Sequence, residues 1–249
     1  MHEFDSKTDA KIVTASRENS SGSPPTARVL LLKVSFSPEK FTTGDIPRFR
    51  AYLARQFPEF AEIHNHLDDG KFRYVYPELQ FKFLNQEPAI IAHGSGLEIL
   101  IRIFQNVEEM EINQQTTGIV SRSISMLEGE IGISPKMVNY RFLTPWMALN
   151  QENFIEYQKL APAEREQKLN RILWGNLKTV AHAFDYWIPD PEQIQVYTNL
   201  KMEPKPFKGN TMITFSGEFM VNFHLPNFLG LGKQVARGFG TIKRIGGES

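Results

Sequence analysis

A chain of 249 residues, 41% hydrophobic and 22% charged, is long enough to bury a core and has the composition of an ordinary globular protein. Its net charge of zero argues against bulk affinity for polyanions, and its zero cysteines exclude a disulfide frame and thiolate metal sites. No uninterrupted apolar run reaches the ~18 residues of a membrane span, and no apolar signal core follows Met1, so a cytoplasmic location without membrane contact is the default expectation.

Residues 1–27 are polar and rich in serine and proline, and read as a disordered tail. Structure is expected from 27–36, a strand rich in branched aliphatics. Asp45 then offers a helix cap with Pro47 in the first turn, and Phe49, Leu53 and Phe57 recur at helical spacing. A polar segment, 62–70, leads into extended runs at 72–84 and 88–92 around a short Asn85-Gln-Glu turn. Gly94 opens a second helix, with Leu97, Leu100, Ile101 and Phe104 on one face, and 110–126 alternates as one or two strands would. The order β-α-β-β-α-β is that of a ferredoxin-like unit, whose open sheet also frames many RNA-binding modules.

The second half starts over. Residues 136–143 read as a strand, 144–153 lead into a helical region, and 162–184 form a long helix with Leu169, Ile172, Leu173, Leu177, Val180 and Phe184 on one stripe. Strands follow at about 193–203 and 209–224, then a glycine-rich turn and a last strand at 240–245. The predicted class is therefore α+β, with two ferredoxin-like (RRM-like) domains in tandem at 28–133 and 134–249. In the second, a glycine-rich loop replaces the second helix.

That loop carries the densest signal. Gly230, Gly232, Gly238 and Gly240 are interleaved with or followed by Lys233, Arg237, Lys243 and Arg244. Glycine turns let successive backbone N–H groups face an anion, and the cations suit a phosphate chain. A plain hairpin turn is the competing structural explanation. From residue 201 onward there are seven Lys/Arg against three Asp/Glu, so the positive charge is local. A P-loop fails at Asn227 and Gln234, and a dinucleotide fingerprint fails at Val235.

Chemistry points to histidine. His64 and His66 are two apart in a polar segment, with Tyr74 and Tyr76 soon after. In an extended segment the two imidazoles point the same way. RNA carries its own nucleophile in the 2′-OH, so cleavage needs only proton transfer and charge stabilisation, which histidine supplies near neutral pH. An inert polar loop is the alternative. His93 and His224 sit in or beside apolar strands and suit packing, and His182 lies near a helix C-terminus, where a cation is favourable. Asp68 and Asp69 lie near the pair, but no full metal-ligand set can be named, so no metal or cofactor is expected.

The ending NFHLPNFLGLGKQVARGFGTI, residues 222–242, resembles the glycine-rich signature of the RAMP superfamily, and more narrowly the CRISPR-associated endoribonucleases that cut repeat transcripts into guide RNAs. HNH at 64–66 with FRYVYPELQFK at 72–82, PAIIAHGSG at 88–96 and TPWMALNQEN at 144–153 agree with one subfamily of these. The resemblance implies two ferredoxin-like domains side by side. It implies metal-independent cleavage of CRISPR repeat RNA to a 2′,3′-cyclic phosphate and a 5′-OH. It places the catalytic histidine in the His64–His66 segment with an assisting tyrosine, Tyr74 or Tyr76, and RNA on the glycine loop. The alternative is a non-catalytic RNA-binding RAMP subunit of a guide-RNA effector complex.

Overall fold

A computed structural model describes residues 26–38, 41–64, 76–112, 115–207 and 210–246. Eight antiparallel strands form a backbone in which β1 (Thr26–Pro38), β2 (Leu79–Leu84), β3 (Glu87–Ala92), β5 (Gln115–Phe142), β6 (Val196–Phe207) and β7 (Asn210–His224) lie in the order β2-β3-β1-β5-β7-β6. Two short strands, β4 (Glu109–Ile112) and β8 (Ile242–Ile245), pair with opposite ends of β5. The α+β class is that expected.

The main departure is β5. The expected run at 110–126 divides between β4 and the start of a 28-residue strand that also contains the expected strand 136–143, and the boundary drawn after residue 133 falls inside it. Its register shifts between Ile133 and Val138, where Pro135 cannot donate a ladder bond. Its first part pairs with β1 and its last with β7 and β8. The two halves repeat one order: β2-β3-β1-β5 in front, β6-β7-β5-β8 behind.

Helix α1 (Ile46–Gln56) begins where Pro47 is pre-set for a first turn. Asp45 does not cap it as expected. Its backbone is already helical, so its carboxylate turns back and accepts the Thr42 amide at 2.9 Å and hydroxyl at 2.7 Å. A one-turn helix, α2 (Ala61–His64), follows. Helix α3 (Gly96–Asn106) starts two residues after the expected Gly94. Phe49 and Leu53 of α1 and Leu100 and Ile103 of α3 bury their stripes on Val34, Phe36, Phe81 and Ile90, forming a front core.

The other side of the front sheet, including Leu31, Leu84, Ala89 and Ile91, belongs to a second core. It is shared with helices α4 (Gln151–Lys159) and α5 (Pro162–Ala183) and with Tyr140, Trp146, Phe215 and Phe219. Strand β2 thus feeds Leu79 and Phe81 to one core, and Gln80, Lys82 and Leu84 to the opposite side. Helix α5 matches its expected span, with Leu169, Leu173, Leu177 and Val180 buried.

Candidate nucleic-acid interface

The segment after β7 is folded by turns that only special residues tolerate. Gly232 has φ +86°, and an added Cβ would stand 2.5 Å from the Trp146 indole nitrogen. Gly240 has φ +64°, and its Cβ would fall 2.0 Å from the Leu231 carbonyl oxygen. No relaxation accommodates that without moving backbone. Between them Val235–Arg237 makes a single 3-10 turn, entered by Gln234 at φ +60° and left by Gly238 at φ +89°.

The loop is stapled from both halves. From behind, the segment after β5 binds it backbone to backbone: Lys233 N–H donates to Met147 C=O at 3.0 Å and Gly240 N–H to Pro145 C=O at 2.9 Å. The Thr144 hydroxyl donates to Gly238 C=O at 2.6 Å and accepts Thr241 N–H at 2.9 Å. From the front, Tyr76 donates its hydroxyl to Gly230 C=O at 2.8 Å, and Gln80 accepts Gly230 N–H at 2.9 Å. A Cβ at Gly238 would stand 3.0 Å from the carbonyl of Phe81, so the loop covers the outer edge of β2.

Arg50 of α1 completes the junction. Its Nε donates to Ile63 C=O at 2.9 Å, and its basicity falls to about 10, first through burial and second through the charge of Arg237. Ile63 immediately precedes His64, the last residue of α2. The chain therefore leaves α2 next to an arginine that faces the loop, and by Tyr76 it is bonded to the loop itself.

The sequence-predicted site residues divide as follows. His66 and Tyr74 lie outside the described residues, and of His64 the backbone alone is described. Tyr76 is buried, and its hydroxyl is pushed above its ordinary range first by burial, with hydrogen bonding to Gln80 and Gly230 a smaller influence in the other direction. It positions the loop. Gly230, Gly232, Gly238 and Gly240 shape the loop, and Lys233 and Arg237 both lose basicity through partial burial upon it. Lys243 and Arg244 are split by the pleat: Lys243 sits opposite Arg141 and Arg244 opposite Tyr140, on opposite faces of the sheet. A single face carries only one of them.

The remaining histidines are placed as read. His93 is buried between the rings of Tyr76 and Phe184, with Nε2 3.2 Å from Pro77 C=O. His182 packs at a tilt against Trp187 at the end of α5, and His224 lies 3.9 Å from Glu130. Among the described residues no three His, Asp or Glu side chains converge as metal ligands would, and no helix is long and apolar enough to cross a membrane. Sequence reasoning missed Arg50, Gln80 and Lys82. The available signal was two polar residues alternating with apolar ones in β2, a strand with no solvent-facing side.

Comparison with known proteins agrees with this architecture. Residues 28–130 match the Cas6b N-terminal domain and residues 132–245 the Cas6b C-terminal domain. An uncharacterized protein of Methanocaldococcus jannaschii is 33% identical over 143 residues, 57% of this chain and 97% of that one. A crystal structure of Cas6b superposes with TM-score 0.80 at 32% identity, covering 88% of this chain and all of that one. A CRISPR RNA processing endoribonuclease Cas6b superposes with TM-score 0.71 at 29% identity, again over 88% of this chain and all of that one. A Cas6 variant at 13% identity, TM-score 0.56, over 88% of this chain and all of that one, shares the fold alone. The chain belongs to the Cas6b family of CRISPR-associated repeat-processing endoribonucleases, as its glycine-loop ending resembles.

Proposed function

We propose that this protein cuts CRISPR repeat transcripts into guide RNAs, without a metal, at the junction where the glycine loop of the rear half meets the front half. The observation that carries this is the double anchoring of that junction: Arg50 binds Ile63 and faces Arg237, and Tyr76 binds Gly230. The stretch bearing His64, His66 and Tyr74 begins and ends beside the loop. A base removes the 2′-OH proton, the 2′-oxygen attacks phosphorus, and the 5′-oxygen leaves with a proton from an acid. The products are a 2′,3′-cyclic phosphate and a 5′-OH. His64 and His66 exchange the protons, with His66 the principal one. Tyr74 assists, because Tyr76 already spends its hydroxyl on Gly230. Lys233 and Arg237 hold phosphates and offset charge on the phosphorane, while one of Lys243 and Arg244, which lie on opposite faces of β8, lengthens the cationic surface.

Two ferredoxin-like units at 28–133 and 134–249, sharing β5, account for the repeated strand order. A cytoplasmic site of action and delivery of the product to an effector complex belong to the same reading. Purified protein in EDTA should cut its own repeat RNA once, and the His64→Ala/His66→Ala double variant should bind that RNA without cutting it. Binding without cleavage by the unmodified protein would leave a non-catalytic RNA-binding subunit instead.

A further inference from the structure

Beneath the glycine loop lies a charge that the fold does not explain. Lys82 of β2 is fully buried, and its Nζ has no hydrogen-bond partner among the described residues. A buried polar group without a partner costs free energy, and a charged one costs more. The amine is aimed at the loop: a Cβ added at Gly230 would stand 3.0 Å from it. Gly230 is also the residue that Tyr76 and Gln80 hold by its carbonyl and its amide. Three side chains of the front half therefore converge on one loop residue, two with hydrogen bonds and one with an uncompensated amine.

The elements packed near it carry cations. Lys233 and Arg237 lie on the loop, Arg50 stands by Arg237 on α1, and Lys33 shares the sheet face on β1. Ser35 and Ala89 occupy the same cross-strand row as Lys82. Glu87, the carboxylate on that face of β3, accepts the Ser37 hydroxyl instead. Among the described residues the other titratable groups facing the junction are the Tyr76 phenol and the His93 ring packed against it. Burial, with no carboxylate among the described residues to oppose it, brings the Lys82 ammonium down to about 7.

Resting on the RNA reading above, we propose that Lys82 is a positioning residue for phosphate: RNA on the outer side of the loop draws a proton onto the buried amine, which then supports the loop's anion site from beneath. The proton comes from solvent and is returned when RNA leaves. Repeat RNA binding is thereby linked to pH. It is tightest where Lys82 is already protonated and weakens as pH rises and each binding event must protonate it.

The experiment measures binding of the protein's own repeat RNA, 2′-O-methylated throughout so that it lacks the attacking hydroxyl, at pH 6.5 to 9. Isothermal titration at pH 8 in two buffers of different ionisation enthalpy counts the protons taken up. The unmodified protein should take up about half to one proton more than Lys82→Met, and between pH 7 and 9 its affinity should fall ~7–50-fold more than the variant's. Protons taken up by His64 and His66 are common to both proteins and cancel in the difference. The unmodified protein's proton count stands by itself should the variant misfold. Equal proton uptake and equal pH dependence in the two proteins, or binding by the unmodified protein with no proton uptake, would overturn the inference alone. No RNA binding at any pH would overturn the RNA reading and this inference with it.

Discussion

Helix α3 in the front half and the glycine loop in the rear half occupy the same place in the repeated order, between the third strand and the fourth. Both cover a sheet. Helix α3 does so with Ile99, Leu100 and Ile103 on one stripe, and its backbone satisfies itself. The loop also buries Leu229, Leu231, Val235 and Ala236, but its backbone is satisfied only in part within itself, as by Leu231 N–H on Gly240 C=O, and otherwise from outside, by Thr144, Pro145, Met147, Tyr76 and Gln80. A helix tolerates substitution at any exposed position. A loop held by borrowed partners does not, and in exchange it can present backbone and cations to a ligand.

The largest expected effect comes from forcing a side chain into the loop. Gly240→Ala places a methyl group 2.0 Å from a backbone oxygen at φ +64°. We expect roughly 3 kcal/mol or more of local destabilisation and loss of repeat-RNA binding in a filter or anisotropy assay. Arg102→Ala on the exposed side of α3, which breaks a surface pair with Glu98 and removes the guanidinium from over the Phe60 ring, should change stability by no more than about 1 kcal/mol. Equal sensitivity at the two sites would remove the contrast.

Next comes Lys82→Met, which replaces the buried amine by an apolar group of similar size. A lysine whose folded value is lowered from 10.5 to about 7 is protonated in both states below pH 7, where its burial cost is present in full. From pH 7 to about 10 the unfolded chain binds the extra proton, so stability rises with pH and the cost fades. The variant should therefore gain stability, on the order of a few kcal/mol near pH 6, with the gain shrinking as pH approaches 10. Thermal melts across that window test it. A variant less stable than the unmodified protein at pH 6 would show that the amine has a partner that favours its charge.

Much of this contrast could be read before any coordinates. The stripes of α1, α3 and α5 follow from a 3.6-residue period, and the loop follows from its four glycines, because both signals are local. The single long β5 was not legible, since joining two expected strands into one depends on β1 and β7, which pair with its two ends from far away in sequence. The choice between Tyr74 and Tyr76 was likewise open in sequence. The bond that commits Tyr76 to Gly230 spans 154 residues of sequence, and tertiary packing alone makes it. Lys82 was hidden for the same reason: in sequence it is one more lysine in a strand, and its burial comes from the loop that covers it.

Tyr76→Phe tests the front staple with a smaller change. It removes the hydroxyl and leaves Gly230 C=O without that donor in a buried site, which costs about 1–2 kcal/mol. Repeat-RNA affinity should fall several-fold, while the pH profile of cleavage keeps its shape. A shifted profile would instead put Tyr76 among the groups that move protons.

The smallest effect marks the other end of the scale. Gly175 lies within α5, and a Cβ there would meet nothing within 4 Å. Alanine at that position removes backbone freedom from the unfolded chain and should stabilise the fold by about 0.5–1 kcal/mol, with RNA affinity unchanged. Gly175→Ala and Gly240→Ala are the same chemical change, and they should move stability in opposite directions. The helix needs no freedom at its glycine, whereas the loop is closed by the absence of one methyl group. Destabilisation by Gly175→Ala would mean that α5, too, depends on a close approach, and that glycine sensitivity is a property of the rear half as a whole and not of the glycine loop alone.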